Sequence, residues 1–283
     1  MSTHVPHLFA GLVDDAAVFP PGSASLPDAV AAHRGHRAAW YADLVGPLLV
    51  PASAVDDAAL DGMAGGVVGL IGDTGIDGLP AALSLLAEDR ITARQVEVAV
   101  ARRGEDPQPG LAALLKLAES WGLDVYAEIP LTFGLLGALD TVAEARAAGL
   151  PVAAKFRTGG LAAELFPTPV ELAAVICACR DRELPFKLTA GLHHAVRHLD
   201  PETGFTHHGF GNVLAATLAA AGGAEVDTVA ALLAATDPLP LVEQARSRRD
   251  DPRPLWVGFG SCSVRDPLTD LIRLGLVNGG YEA

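Results

Sequence analysis

Short apolar runs alternate with longer alanine- and leucine-rich stretches, in which polar residues return at helical spacing, along most of the chain. Eight runs read as strands: Ala10–Val18, Gly46–Pro51, Gly66–Ile71, Gln95–Ala101, Asp124–Ile129, Pro151–Phe156, Pro185–Thr189 and Leu255–Phe259. Between them the pattern predicts helices over Leu26–Tyr41, Leu79–Leu86, Gly110–Trp121, Leu136–Ala148 and Pro169–Arg182. Alternating strands and helices are the pattern of a parallel sheet with crossover helices. Eight such units favour a closed (β/α)8 TIM barrel over an open doubly wound sheet. No linker divides the sequence, so 1–283 reads as a single α/β domain. Residues 192–254 form a long insertion before the eighth strand, with helices over Val213–Ala221 and Val226–Ala234 and the character of a lid.

In a barrel of this type the chemistry gathers where strands end, so polar residues should come late in each run. They do: Asp14 and Asp15 in the first, Glu97 in the fourth, Glu128 in the fifth, Lys155 and Arg157 in the sixth, Lys187 and Thr189 in the seventh. Strand alternation places Lys155 with Arg157 on one face and Lys187 with Thr189 on one face. The chain has three lysines, Lys116, Lys155 and Lys187, and two of them stand in equivalent places on neighbouring strands. Facing one cavity, the two ammonium groups would repel each other. Repulsion and burial together would bring one amine towards a pKa of about 7–8, where it is a usable nucleophile. The competing reading is structural: strand-end lysines that reach solvent or close buried ion pairs.

Three further features bear on the site. The eighth run leads into Gly258-Phe259-Gly260-Ser261-Cys262-Ser263 and then a helix over Leu268–Leu276. Such a turn either offers backbone N–H groups to an anion or is a plain strand-to-helix connection. Five of the nine histidines, His193, His194, His198, His207 and His208, fall in the insertion, with spacing that matches no common metal motif. The segment His33-Arg34-Gly35-His36-Arg37 reads as a solvated helix face.

Composition narrows the class. The net charge of −14 leaves no basic footprint for nucleic acid. No apolar run is long enough to span a membrane, and Met1 to His7 lacks the basic start and apolar run of a signal peptide, so a cytoplasmic protein without a membrane partner is expected. Three cysteines, Cys177, Cys179 and Cys262, form neither a disulfide framework nor a zinc set. The expected partner is a small-molecule carbonyl substrate, and a homo-oligomer is left open.

These strand ends resemble those of the deoxyribose-phosphate aldolase group of class I, Schiff-base aldolases. Lys155-Phe156-Arg157-Thr158-Gly159 is similar to the family's imine-forming strand six. Lys187-Leu188-Thr189-Ala190-Gly191 is similar to its strand seven, and Gly258 to Ser263 to its phosphate-binding turn. Asp14, Val50-Pro51, Ile71-Gly72, Glu97 and Glu128 are weaker echoes. The resemblance implies that Lys155 forms the imine, Lys187 lowers its pKa and Glu97 assists proton transfer, with Asp14 as a second acid; Glu128, before Ile129-Pro130, reads as a salt-bridge partner that holds Lys155 or Lys187. Thr189, Gly191, Gly258, Gly260, Ser261 and Ser263 would then hold substrate, phosphorylated or carboxylated, without an organic cofactor, and the strand-end rule for barrels adds Asp15. Phe156, Arg157, His193 and His194 depart from the family pattern around the substrate, where Arg157 suits a carboxylate. Two alternatives stand beside this reading. One is a metal-dependent lyase or isomerase with Asp, Glu and His ligands around a divalent ion. The other is a barrel that binds ligand without turning it over.

Overall fold

The computed structural model describes residues 4–279; Met1–Thr3, the start of the segment weighed above as a leader, and residues 280–283 lie outside the described part. Each of the eight predicted runs contributes one strand to a closed barrel. They are β1 (Val13–Asp15), β2 (Val45–Pro51), β3 (Val67–Ile71), β4 (Thr92–Ala99), β5 (Asp124–Glu128), β6 (Val152–Arg157), β7 (Phe186–Thr189) and, after a two-residue hairpin pair β8 (His198–Leu199) and β9 (Thr206–His207), β10 (Trp256–Ser261). All neighbours in the barrel are parallel, and β10 closes it between β7 and β1. The chain therefore folds as a (β/α)8 TIM barrel.

Among the described residues nine α-helices surround it. They are α1 (Leu26–Ala38), α2 (Leu79–Glu88), α3 (Gln108–Ala118), α4 (Leu135–Ala147), α5 (Pro169–Asp181), α6 (Phe210–Ala221), α7 (Val226–Ala234), α8 (Leu239–Ser247) and α9 (Arg265–Arg273). Local chemistry sets their starts. The Ser25 hydroxyl accepts from the Asp28 N–H at the head of α1. Thr168 and Glu171 form a reciprocal capping box at the head of α5. The connection from β2 to β3 has no α-helix and runs through the 3-10 turns Ala52–Ala54 and Ala58–Met63. Glycines at 62, 65 and 66 follow closely there, and Gly65 takes a φ of +77°, which ends helical propagation.

The insertion divides into a helical part and a short two-stranded part. Helices α7 and α8 each pack on α6, and α6 and α7 pack on α5, so they clothe the barrel's flank. The β8–β9 segment lies near the end of β7, with His207 Nδ1 3.2 Å from the Gly191 carbonyl. None of the described helices is long and apolar enough to cross a membrane.

The alternation of β6 and β7 divides the core. Ala154 and Phe156 point outward with Phe186 and Leu188, and Phe156 and Phe186 lie with ring centroids 6.3 Å apart. Beyond them, Phe210, Phe259 and Trp256 stack in sequence at 5.8 and 5.7 Å. Each such ring withdrawn from water contributes about 1.5–3 kcal/mol. This outer layer fixes β6 and β7, whose opposite faces carry the two lysines.

Candidate active site

Strand register brings the polar residues into one layer. Glu128 of β5 stands opposite Lys155 of β6, Lys155 opposite Lys187 of β7, and Arg157 opposite Thr189. Lys155 and Lys187 are 3% and 1% exposed, so both amines lie inside the barrel. The Lys155 Nζ donates to Glu97 Oε2 and to Glu128 Oε2, each at 2.9 Å. The Lys187 Nζ donates to Glu97 Oε1 at 2.6 Å and makes a very short contact with Asp14 Oδ2. Glu97 thus bridges the two lysines, one oxygen to each.

Two residues that the sequence reading did not single out complete the cluster. The Gln95 Nε2 donates to Asp14 Oδ2 at 2.7 Å and to Glu97 Oε1 at 2.8 Å. The Tyr126 ring lies beneath Lys187, 4.7 Å from the ammonium to the ring centroid. Gln95 precedes Glu97 by two residues and Tyr126 precedes Glu128 by two, so the alternation rule places each on its neighbour's face. That signal was available in the sequence.

Glycines make room for this layer. A Cβ at Gly46 of β2 would stand 1.8 Å from Asp14 Oδ1, so the carboxylate occupies the space a side chain would need. Gly159 and Gly191, each four residues beyond its lysine, meet backbone to backbone, and a Cβ at Gly159 would lie 3.1 Å from the Gly191 Cα. Gly191 has a φ of +81°, and Ala190 beside it a φ of +68°, a conformation that disfavours a residue with a Cβ. The Thr158 hydroxyl donates to the Ala190 carbonyl at 2.7 Å and to that of Thr189 at 3.2 Å, holding the end of β7 against β6.

The electrostatics reverse one expectation. Burial alone would lower the proton affinity of Lys155, but Glu128 and Glu97 outweigh it and hold the ammonium above the ordinary lysine range. Burial likewise opposes Lys187, and Asp14 and Glu97 raise it. Mutual repulsion does not prevail because carboxylates stand between and beside the amines. On the acid side, Glu97 overcomes its burial through Lys155 and Lys187 and falls to about 2. Glu128 is also lowered, burial being outweighed by Lys155 and Arg157. Asp14 goes the other way: burial raises it, Lys187 opposes, Glu97 adds to the rise, and the carboxyl ends above the usual range. Burial raises the Tyr126 phenol, with Asp124, Asp14 and Glu97 adding to it.

Other predicted residues take different places. Asp15 lies on the outer face of β1, where its carboxylate meets His33 Nδ1 of α1 at 3.0 Å. It pins α1 to the barrel and does not face the cavity, and His33 is buried with it. Phe156 also faces away from the lysines. In the turn after β10 the Ser261 hydroxyl donates to the Ser263 carbonyl at 2.8 Å and accepts from the Ser263 N–H at 3.3 Å. The Ser263 hydroxyl accepts from the Asp266 N–H at the head of α9. Gly22 is pressed onto this turn, since a Cβ there would lie 2.9 Å from the Cys262 Cβ. Gly258 is kept for close packing, as a Cβ would meet the Leu12 carbonyl at 2.6 Å, and Gly260 sits opposite Thr189. The anion-binding reading of this turn therefore meets hydroxyls, and the Ser263 and Asp266 N–H groups, already engaged with one another.

The histidines serve the loop after β7. His193 and His194 approach Asp266 and Asp270 of α9 at 3.8 and 3.4 Å, and the Ala195 N–H donates to Asp270 at 2.8 Å. His208 is enclosed, and burial pushes it down to about 4. Its Nε2–H donates to the Pro167 carbonyl at 2.7 Å while Nδ1 accepts from Arg197 at 3.3 Å. Among the described residues no group of three or more His, Cys, Asp or Glu side chains is arranged to hold a metal ion.

A cleft of about 230 Å³ opens beside the lysine layer. Glu128, Arg157 and Arg103 line it together with Glu164, Glu171 and the apolar Ile129 to Leu131 and Leu165 to Pro167. The Arg157 Nε donates to Glu128 Oε1 at 3.2 Å. Glu128 thus stands between the cleft and Lys155, with one oxygen turned to each cation.

No family model, curated protein or solved structure matches the chain. The site must therefore be read from its own geometry, on a fold that commonly carries enzymes.

Proposed function

We propose that the protein is a class I, lysine-imine lyase of the aldolase type acting on a small aldehyde or ketone. The observation that carries this reading is the buried layer itself. Two lysines on adjacent strands, in register, share Glu97 and are flanked by Asp14 and Glu128. Five ionisable groups in a barrel interior are expensive to desolvate, and apolar side chains would fill the space at lower cost if stability were the only requirement.

In this reading the Lys155 ammonium passes a proton to Glu128 or Glu97, and the free amine adds to the substrate carbonyl carbon. The C–N bond forms, the oxygen leaves as water after gaining two protons, and a protonated imine remains. Cleavage of the adjacent carbon–carbon bond sends its electron pair into the imine, as a carboxylate takes the proton of the substrate hydroxyl and an aldehyde departs. Protonation of the resulting enamine and addition of water return the amine. Lys187 and Tyr126 supply fixed charge and a ring face, and Asp14, with its raised proton affinity, is a proton store next to Lys187.

The test is borohydride reduction in the presence of small aldehydes, ketones and 2-oxo acids, read by intact mass and peptide mapping. A reduced adduct on Lys155, lost in Lys155→Ala and at least about tenfold slower in Lys187→Met, is expected. Because both lysines are held protonated, the adduct forms faster as pH rises from 7 towards 10. An adduct on Lys187 alone reverses the two roles. The absence of any adduct across that range sinks the imine reading and leaves the layer as the ion network of a binding barrel.

A further inference from the structure

We infer that Arg157 is the receptor for a carboxylate carried by the substrate, and that seating this carboxylate releases Glu128 to take the proton of Lys155. The inference rests on the imine reading above and adds to it the substrate class and the trigger.

Three observations lead here. First, Arg157 uses only Nε towards Glu128; among the described residues no hydrogen bond occupies its terminal nitrogens, and the side chain, 43% exposed, lines the cleft. A guanidinium edge of this kind matches a carboxylate with two parallel N–H donors. Second, Glu128 bridges Arg157 and Lys155, one oxygen to each, so the two cations share one carboxylate. Third, the Ser261 hydroxyl and the Ser263 and Asp266 N–H groups of the turn after β10 are engaged within that turn and Gly22 is pressed onto it, whereas Arg157 turns its terminal nitrogens to the cleft.

The charge around the cleft selects among anions. Arg157 and Arg103 face Glu128, Glu164 and Glu171 across a small volume, and Glu171 is engaged by the Thr168 N–H and hydroxyl. A phosphate dianion would meet three carboxylates there. A single-charged carboxylate suits the Arg157 fork at lower repulsion.

The trigger follows from the same contacts. In the free protein Lys155 and Arg157 both favour the ionised Glu128, so neither amine nor carboxylate has reason to exchange a proton. An incoming carboxylate on the free terminal nitrogens offsets the Arg157 charge that Glu128 feels and adds negative charge on the cleft side, nearer to Glu128 than to the Lys155 Nζ behind it. The proton affinity of Glu128 rises, and its Oε2, 2.9 Å from the Lys155 Nζ, takes the proton. The neutral amine then adds to the carbonyl of the same substrate. The nucleophile is made where the correct substrate is bound.

Two measurements test this and separate its failure from failure of the imine reading. The first compares 4-oxobutanoate, butanal and glycolaldehyde phosphate in borohydride trapping at neutral pH. The carboxylate-bearing aldehyde is expected to label Lys155 at least about tenfold faster than butanal, a ratio that collapses towards one in Arg157→Gln. Equal rates for 4-oxobutanoate and butanal, or faster labelling by the phosphate, overturn the carboxylate assignment while leaving the imine intact. The second needs no imine and no variant: phenylglyoxal modification of Arg157, mapped by mass, with 4-hydroxybutanoate or butan-1-ol present. Saturable protection by the acid alone is expected. No protection overturns the subsite even if Lys155 reacts with carbonyls. Protection without any lysine adduct upholds the subsite and removes the imine reading.

Discussion

The barrel holds positive charge away from solvent at its mouth and at its floor, and the two are solved differently. Near the mouth, Lys155 and Lys187 face Asp14, Glu97 and Glu128, groups that can exchange protons with an amine. At the floor, Arg253 faces backbone. Its Nε donates to the Trp256 carbonyl at 2.7 Å and its terminal nitrogens to the carbonyls of Leu8, Ala10 and Val257. Burial lowers Arg253 to about 10, with Asp14 opposing, and it stays protonated at neutral pH. A guanidinium ringed by carbonyls ties the segment before β1 to the start of β10 and, among the described residues, forms no ion pair with a carboxylate. The difference teaches how to tell a load on stability from a capacity for chemistry: what matters is whether the partner of a buried cation can accept its proton.

The sharpest way to break the comparison is Glu97→Gln. It removes the charge shared by both lysines and leaves two buried ammonium groups under-compensated, at a cost of about 3–5 kcal/mol in denaturant unfolding. It should also move the pH dependence of Lys155 trapping to lower pH, because a carboxylate that raises both lysines is gone. An unchanged profile would show that Glu97 does not govern the amine.

An acid titration sharpens it at the next scale. Glu97 sits at about 2 in the folded protein against an ordinary 4.5. A carboxyl with a depressed folded value contributes stability above its unfolded value and loses it as pH falls through the folded one. About 3 kcal/mol should therefore vanish between pH 4.5 and 2, with Glu128 adding in the same direction. Asp14, raised, works in the opposite sense, and the raised lysines lose their contribution only above their ordinary alkaline range. Urea midpoints for the parent and Glu97→Gln at pH 6 and pH 3 should converge on acidification; a constant gap would refute the assignment.

At the floor, Arg253→Met should cost about 2 kcal/mol by leaving carbonyls without their donor. Lys155 trapping, per folded molecule, should keep its pH profile. A shift in that profile would mean that the floor guanidinium tunes the mouth, and the contrast drawn above would fail.

Much of this was legible before the fold. Period-two alternation placed Glu97, Glu128, Lys155 and Lys187 at strand ends, and register did the rest. What could not be read depended on contacts distant in sequence. Whether Asp14 or Asp15 faces inward is fixed by the pairing of a three-residue strand with β10, and nothing in two consecutive aspartates distinguishes them. The direction of the lysine shifts depends on how many carboxylates converge from β1, β4 and β5, which two strands alone do not tell. The β8–β9 pair is too short to show a period, and α8, which follows Pro238 in a polar stretch, is not among the predicted helices.

Burial of two lysines also shapes how the molecule meets reagents. Of its three lysines only Lys116, on the exposed side of α3, offers its amine to solvent in the closed barrel. An amine-directed label should therefore mark one lysine, away from the mouth, and attach the protein to a dye or a surface with its site unobstructed. A later gain of label at Lys187, which takes no carbonyl in the proposed chemistry, would then act as a clock for the opening of the barrel.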